Sequence, residues 1–142
     1  HTVVLGPRSW EPEEAEFLAR LGVRIIGSDE IAARGFAECL DEAASTVAGA
    51  ANGFGITLDL DAIDPEIAPG VGSPEPEGLS VREVRLGLHR LAGTPGLRAL
   101  EIVEYNPDRD RHGITARLIS ELIGEILPQL TRPPRSSAPA RH

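Results

Sequence analysis

Residues 55–79 read GITLDLDAIDPEIAPGVGSPEPEGL, and the fold turns on the break within them. Ile56, Thr57 and Leu58 have the make-up of a buried strand. The run then delivers Asp59 and Asp61 and gives way to a long loop rich in proline and glycine. Strand side chains alternate with a period of two, so the two carboxylates are expected to lean to one side, where they repel unless something positive lies between them. A divalent cation is the common remedy, since two oxygen donors at that spacing can share one ion or bridge two. In open α/β sheets the binding crevice lies outside the carboxyl ends of the strands, which is where this pair falls. The competing reading is a solvated turn completed by Asp64 and Pro65, because aspartate is a common turn former.

Working outward, apolar runs of two periods alternate along the chain. Val3, Val4 and Leu5 form a short strand closed by Gly6 and Pro7. Ser9, Glu11 and Pro12 open a helix whose apolar face is Ala15, Leu18 and Leu21, with Gly22 as its stop. Residues 23–26 read as a second strand, and Ser28 and Asp29 as a turn or cap. A helix over about 35–50 follows from Phe36, Leu40, Ala43 and Val47. Cys39 beside that stripe is a packing residue, since nothing near it in sequence would lower its pKa. Beyond the central loop, Ser80 and Glu83 make a capping box for a helix bearing Val81, Val84, Leu88 and Leu91. His89 lies at the edge of that stripe.

Residues 97–105 include the next strand, which Asn106 and Pro107 end. A charged loop over 108–113 contains a solvated His112. Leu118, Ile119, Leu122, Ile123, Ile126 and Leu127 share one apolar face of a final helix that Pro128 helps to end. From Thr131 the chain is rich in Pro, Ser, Ala and Arg, so we expect one domain over 1–130 and a disordered tail over 131–142. Strands alternating with helices imply βαβ units, hence an α/β fold with a mainly parallel sheet of four strands.

The chain has 142 residues and a formal net charge of -8, which speaks against nucleic acid or an anionic membrane as partner and suits a site that attracts cations. A single cysteine excludes an internal disulfide and a cysteine-based zinc site, and fits a reducing, cytoplasmic setting. No apolar run approaches the roughly 20 residues that span a bilayer. His1 stands where a methionine would begin a reading frame, so we expect a fragment, a trimmed chain or an incomplete reading frame.

The central stretch, taken whole, resembles the ureohydrolase family of arginase, agmatinase and their relatives. Thr57 to Pro65, then Ala68 to Pro74 and Gly78-Leu79, are similar to that family's S-F-D-x-D-x-x-D-P-x-x-A-P-G-x-G-T-P-x-x-G-G-L signature. Ala99 to Pro107, ALEIVEYNP, is similar to the family strand that ends D-x-x-E-x-N-P. The match runs from Val3 to about Leu127. It implies a three-layer α/β/α fold, arginase-like but partial, of which this is the second half. It also implies two Mn2+ ions in the complete enzyme, with Asp59 and Asp61 among their ligands, and hydrolysis of a guanidino or formimino C–N bond. A bridging pair of such ions lowers the pKa of a shared water. Glu104 is then the carboxylate that receives the guanidinium of a small substrate. Glu101 sits where many relatives carry Asp and is expected to face away as a structural residue. Asp64 fixes the loop, and Gly70, Gly72 and Gly78 serve its backbone conformation. A homo-oligomer is expected of the complete protein.

Full-length relatives take further ligands from a glycine-rich segment ending in His and from a D-x-H-x-D segment upstream. Neither occurs here, and none of His1, His89, His112 or His142 lies in such a context. Two carboxylates fall well short of the roughly six donors of an octahedral oxygen site. The expectation is therefore a chain inactive by itself. The alternative is a non-catalytic α/β binding or assembly module related to ureohydrolases, for which the exposed edges of a cut sheet would favour association. A third reading is a single cation at Asp59 and Asp61 that serves stability alone.

Overall fold

A computed structural model describes residues 1–8 and 11–130 of the chain. Strands β1 (Val3–Leu5), β2 (Arg24–Ile26), β3 (Phe54–Asp59) and β4 (Leu97–Val103) alternate with helices α1 (Pro12–Arg20), α2 (Ser28–Arg34), α3 (Phe36–Ala48), α4 (Val81–Ala92) and α5 (Ile114–Leu130). Short 3-10 turns at Leu60–Ala62 and Arg111–Gly113 follow β3 and precede α5. Both strand pairings are parallel, as the βαβ pattern requires. They do not join into one sheet among the described residues: β1 pairs with β2, and β3 with β4.

An open slot separates the pairs, with a volume of about 830 Å³. Val4 and Leu5 of β1 and Ile56 of β3 line it, with Leu40 of α3 and Leu88 of α4. Four strands therefore form as expected, but not as one sheet. Strand β3 is also less buried than its composition suggests, because Phe54, Ile56 and Leu58 turn inward while Gly55, Thr57 and Asp59 are exposed.

The main core lies under β3 and β4. Leu60, Ile63, Ala68 and Val71 from the central stretch meet Val84 and Leu88 of α4 and Leu118, Leu122 and Ile126 of α5. Burial of side chains this size contributes about 1.5–3 kcal/mol each relative to exposure. The expected stripe on α5 is wider than the core it meets: Leu118, Leu122 and Ile126 are buried, while Ile123 and Leu127 are 44% and 52% exposed. No residue of α1 is buried.

Helix starts follow local chemistry. Ser80 accepts from the Glu83 N–H at 3.3 Å and its own N–H donates to Glu83 Oε2 at 2.9 Å, so the capping box forms as read. Ser28 and Asp29, by contrast, open helix α2 rather than a turn. That short helix carries Glu30 and Arg34 into an ion-pair network. Arg24 of β2 donates to Glu42 of α3 at 2.6 Å, Arg34 reaches Glu42 at 2.7 Å, and Glu30 contacts both arginines. The network raises both guanidinium pKa values and lowers those of Glu30 and Glu42, in each case chiefly through hydrogen bonds between the partners. Pro128 lies inside α5 rather than ending it. Within the helix, its missing N–H removes one backbone hydrogen bond.

Candidate metal centre

The register of β3 against β4 builds the site. Asp59 pairs with Val103, so both strands end at one edge, and Glu104 follows immediately. Asp59, Asp61 and Glu104 all face the slot at that edge. Glu104 was expected here from the family resemblance alone, and the strand alternation expected to align Asp59 with Asp61 does not hold. Asp61 is not on the strand but in the 3-10 turn Leu60–Ala62, so period-two alternation does not relate it to Asp59. The two are joined by a hydrogen bond from the Asp61 N–H to Asp59 Oδ1 at 2.8 Å, with Asp59 capping the turn.

The Asp61 carboxylate is held by one oxygen. Oδ2 accepts from the Ser73 N–H at 3.2 Å. Oδ1 is buried and has no partner among the described residues. A buried carboxylate oxygen without a donor is costly, of order 1–3 kcal/mol or more for a charged group. Although Asp59 is exposed as a residue, partial desolvation of its carboxyl raises the pKa from the ordinary range; the Asp61 N–H opposes this, the Asp61 charge adds to it, and Arg8 opposes it. The edge thus holds an acidic pair short of compensation. Two hard oxygen donors, one of them orphaned, fit part of the coordination shell of a divalent cation. They do not complete one, since no group of three or more His, Cys, Asp or Glu residues able to hold an ion occurs among the described residues.

Glu104 carries a backbone φ of +66°, in the left-handed region that costs a residue with a side chain about 1–3 kcal/mol. The turn is pinned on its far side, where Tyr105 bridges to Val71 and the Asn106 N–H donates to the Gly70 carbonyl at 2.8 Å. Glu104 Oε2 lies 3.6 Å from where a Cβ on Gly72 would stand, so the carboxylate rests beside the glycine loop. Glu101 pairs with Thr57 instead, accepting from its hydroxyl at 2.6 Å on an exposed face.

The central loop is a scaffold. The Asp64 carboxylate accepts from the Glu66 N–H at 2.9 Å, and the Asp64 N–H donates to the Leu79 carbonyl at 3.1 Å, so this residue fixes the loop as read. None of Gly70, Gly72 and Gly78 has a positive φ, and Gly70 and Gly78 act instead through space. A Cβ on Gly78 would stand 2.4 Å from the Asp64 nitrogen, and one on Gly70 would stand 2.7 Å from the Asp110 Cβ.

Four residues escaped the sequence reading. Arg8 donates to the carbonyls of Asp61, Glu75 and Pro76. Arg109 donates to the Gly72 carbonyl at 2.8 Å. Asp110 accepts from the N–H groups of Thr115 and Ala116 and from the Tyr105 hydroxyl. Thr115, wholly buried, accepts from the Gly70 N–H at 2.8 Å. The segment from Asp108 to Arg117 held the signal for three of them, as charged and hydroxyl residues directly before a helix. His89 and His112 stay at the surface, and Cys39 is buried in the core as a packing residue. The expected tail over 131–142 lies outside the described residues. No helix among the described residues is long and apolar enough to cross a membrane.

Comparison with known proteins gives one answer. Residues 1–128 match the model of the arginase family. The arginase of Brevibacillus brevis is 37% identical over 126 residues, which is 89% of this chain and 42% of that protein. The proclavaminate amidinohydrolase of Streptomyces clavuligerus is 32% identical over 89% of this chain and 39% of its own length. The crystal structure of the Bacillus caldovelox arginase superposes with a TM-score of 0.83 at 32% identity, covering 94% of this chain and 44% of that one. The chain thus spans about two-fifths of the length of such relatives. On the family match and the shared α/β fold, this chain belongs to the arginase family.

Proposed function

We propose that this chain carries part of the site of a divalent-metal amidine hydrolase, with Asp59 and Asp61 as two of the metal ligands. The observation that carries the reading is the buried, unpartnered Oδ1 of Asp61 in the same slot edge as Asp59 and Glu104. All-carboxylate donors favour Mn2+ over metals that select thiolate or imidazole. When bound, such ions supply charge neutralisation and a more acidic water. Glu104, fixed by its strained turn, offers a carboxylate that can take a planar guanidinium by two parallel hydrogen bonds and so orient the carbon to be attacked. The substrate class is a small guanidino or formimino compound. The complete protein is cytoplasmic and homo-oligomeric in this reading. Asp59 and Asp61 leave the coordination shell incomplete among the described residues, and hydrolysis by these 142 residues alone is negligible in this reading.

The test is a calorimetric Mn2+ titration of the chain and of Asp59→Ala and Asp61→Ala, with urea release measured alongside. Binding by the parent weakened at least about tenfold in each variant is expected, since each loses a charged donor worth more than about 1.4 kcal/mol. Equal affinities in all three chains, or urea release at rates of complete enzymes, would refute it. A second reading is favoured by the open slot: an α/β module that associates with the polypeptide supplying the rest of the fold. A monomer at all concentrations in sedimentation, without affinity for Mn2+, would count against both.

A further inference from the structure

Arg8 stands at the end of β1, where one guanidinium reaches three carbonyl oxygens from two separate parts of the central stretch. It donates to Pro76 at 2.8 Å, and to Glu75 and Asp61. No carboxylate pairs with it among the described residues, although it lines the same slot as Asp59 and Asp61. A cation beside an acidic pair that nonetheless binds backbone carbonyls has been placed for geometry. Its planar fork suits that task, whereas a lysine offers a point charge.

We propose that Arg8 is a positioning residue for the acidic pair. By clamping the Asp61 carbonyl against the carbonyls of Glu75 and Pro76, it fixes the turn relative to the loop that carries Ser73. The Ser73 N–H can then hold Asp61 Oδ2, which leaves Oδ1 without a protein donor and free to take a cation. The Asp61 N–H in turn holds Asp59 Oδ1, so the second carboxylate depends on the same turn. This inference rests on the reading of Asp59 and Asp61 as cation ligands.

Charge and geometry make opposite predictions. A positive group near Asp59 opposes binding of a second cation, so if charge alone mattered, Arg8→Ala would tighten Mn2+ and Arg8→Lys would change nothing. If the clamp matters, both variants weaken binding. The experiment uses the 142-residue chain, its Arg8→Lys and Arg8→Ala variants, and two readouts: Mn2+ affinity, and amide exchange at Ser73 without metal, followed by saturation transfer from water. We expect both variants to bind Mn2+ at least about fivefold more weakly and to exchange Ser73 faster by a similar factor, the loss of one or more hydrogen bonds of about 1 kcal/mol. Exchange in α5 should be unchanged, which separates a loosened loop from a failed fold.

Ser73 exchange in Arg8→Lys equal to that of the parent overturns the proposal, as does tighter Mn2+ binding by Arg8→Ala. Failure of the metal reading looks different. In that case no chain binds Mn2+, the parent included, while Ser73 still loosens in both variants; the role toward the cation then falls and only the loop contact survives.

Discussion

Thr115→Val isolates a single buried hydrogen bond behind the candidate site. The two side chains have nearly the same shape, so the substitution opens no cavity in a position that is wholly buried. What it removes is the Oγ that accepts from the Gly70 N–H at 2.8 Å, and Gly70 is itself buried. An amide left without an acceptor costs about 1–3 kcal/mol. The Thr115 hydroxyl also helps hold the Asp110 carboxylate, so the loss should fall toward the upper half of that range. For a chain of this size each kcal/mol is worth roughly 3 °C, so Tm should drop by about 6–9 °C.

Urea unfolding at pH 7 measures the change. The midpoint should fall with the slope unchanged, the sign of a stability effect without a change in compactness. Thr115→Ser keeps the hydroxyl and gives up one methyl, for about 1 kcal/mol, and should lie between the parent and Thr115→Val. Thr115→Val as stable as the parent would refute the argument, because it would mean that the Gly70 N–H finds another acceptor at no cost.

Further outcomes follow from neighbouring groups. Glu104→Asn should raise stability by up to about 1 kcal/mol in denaturant melts, since asparagine tolerates positive φ, while removing the carboxylate offered to substrate. Gly78→Ala should lower stability by about 2 kcal/mol or more, because its Cβ would stand 2.4 Å from backbone that cannot swing aside. Burial alone would raise the Asp110 pKa, but the N–H groups of Thr115 and Ala116 and the Tyr105 hydroxyl more than reverse this and leave it below the usual carboxylate range. A depressed folded pKa gives stability that is present above the unfolded value and is lost as pH falls through the folded one. Asp110→Asn should therefore flatten the acid limb of a stability profile while changing little between variants at the lowest pH.

The elements that the sequence made legible were those with a local cause. The α4 capping box needs only Ser80 and Glu83, and α3 needs only a repeated apolar spacing. Asp59 was legible as a carboxylate closing a strand, whereas Glu104 was singled out only by the resemblance of ALEIVEYNP to a family motif, and the register of β3 against β4 sets the two at one edge. Residues acting across the chain were not recoverable. Nothing near Arg8 announces three carbonyls more than fifty residues away. Helix α2 was hidden because Ser28 and Asp29 serve equally well in a turn or at a helix start, and its partners Arg24 and Glu42 lie on other elements. The two strand pairs were read as one sheet because alternating strands and helices specify parallel pairing but not which strands become neighbours.

The separation of those pairs has a dynamic consequence. Every residue of the main hydrophobic cluster, and every apolar side chain packed against it, comes from position 56 or later. Among the described residues, no backbone ladder joins β1 and β2 to β3 and β4. Resistance to opening should therefore be uneven, with the first fifty or so residues unfolding by a lower-energy excursion than the rest. Under native conditions a protease would make its early cuts there and spare, for a time, a resistant remnant that still holds Asp59, Asp61 and Glu104.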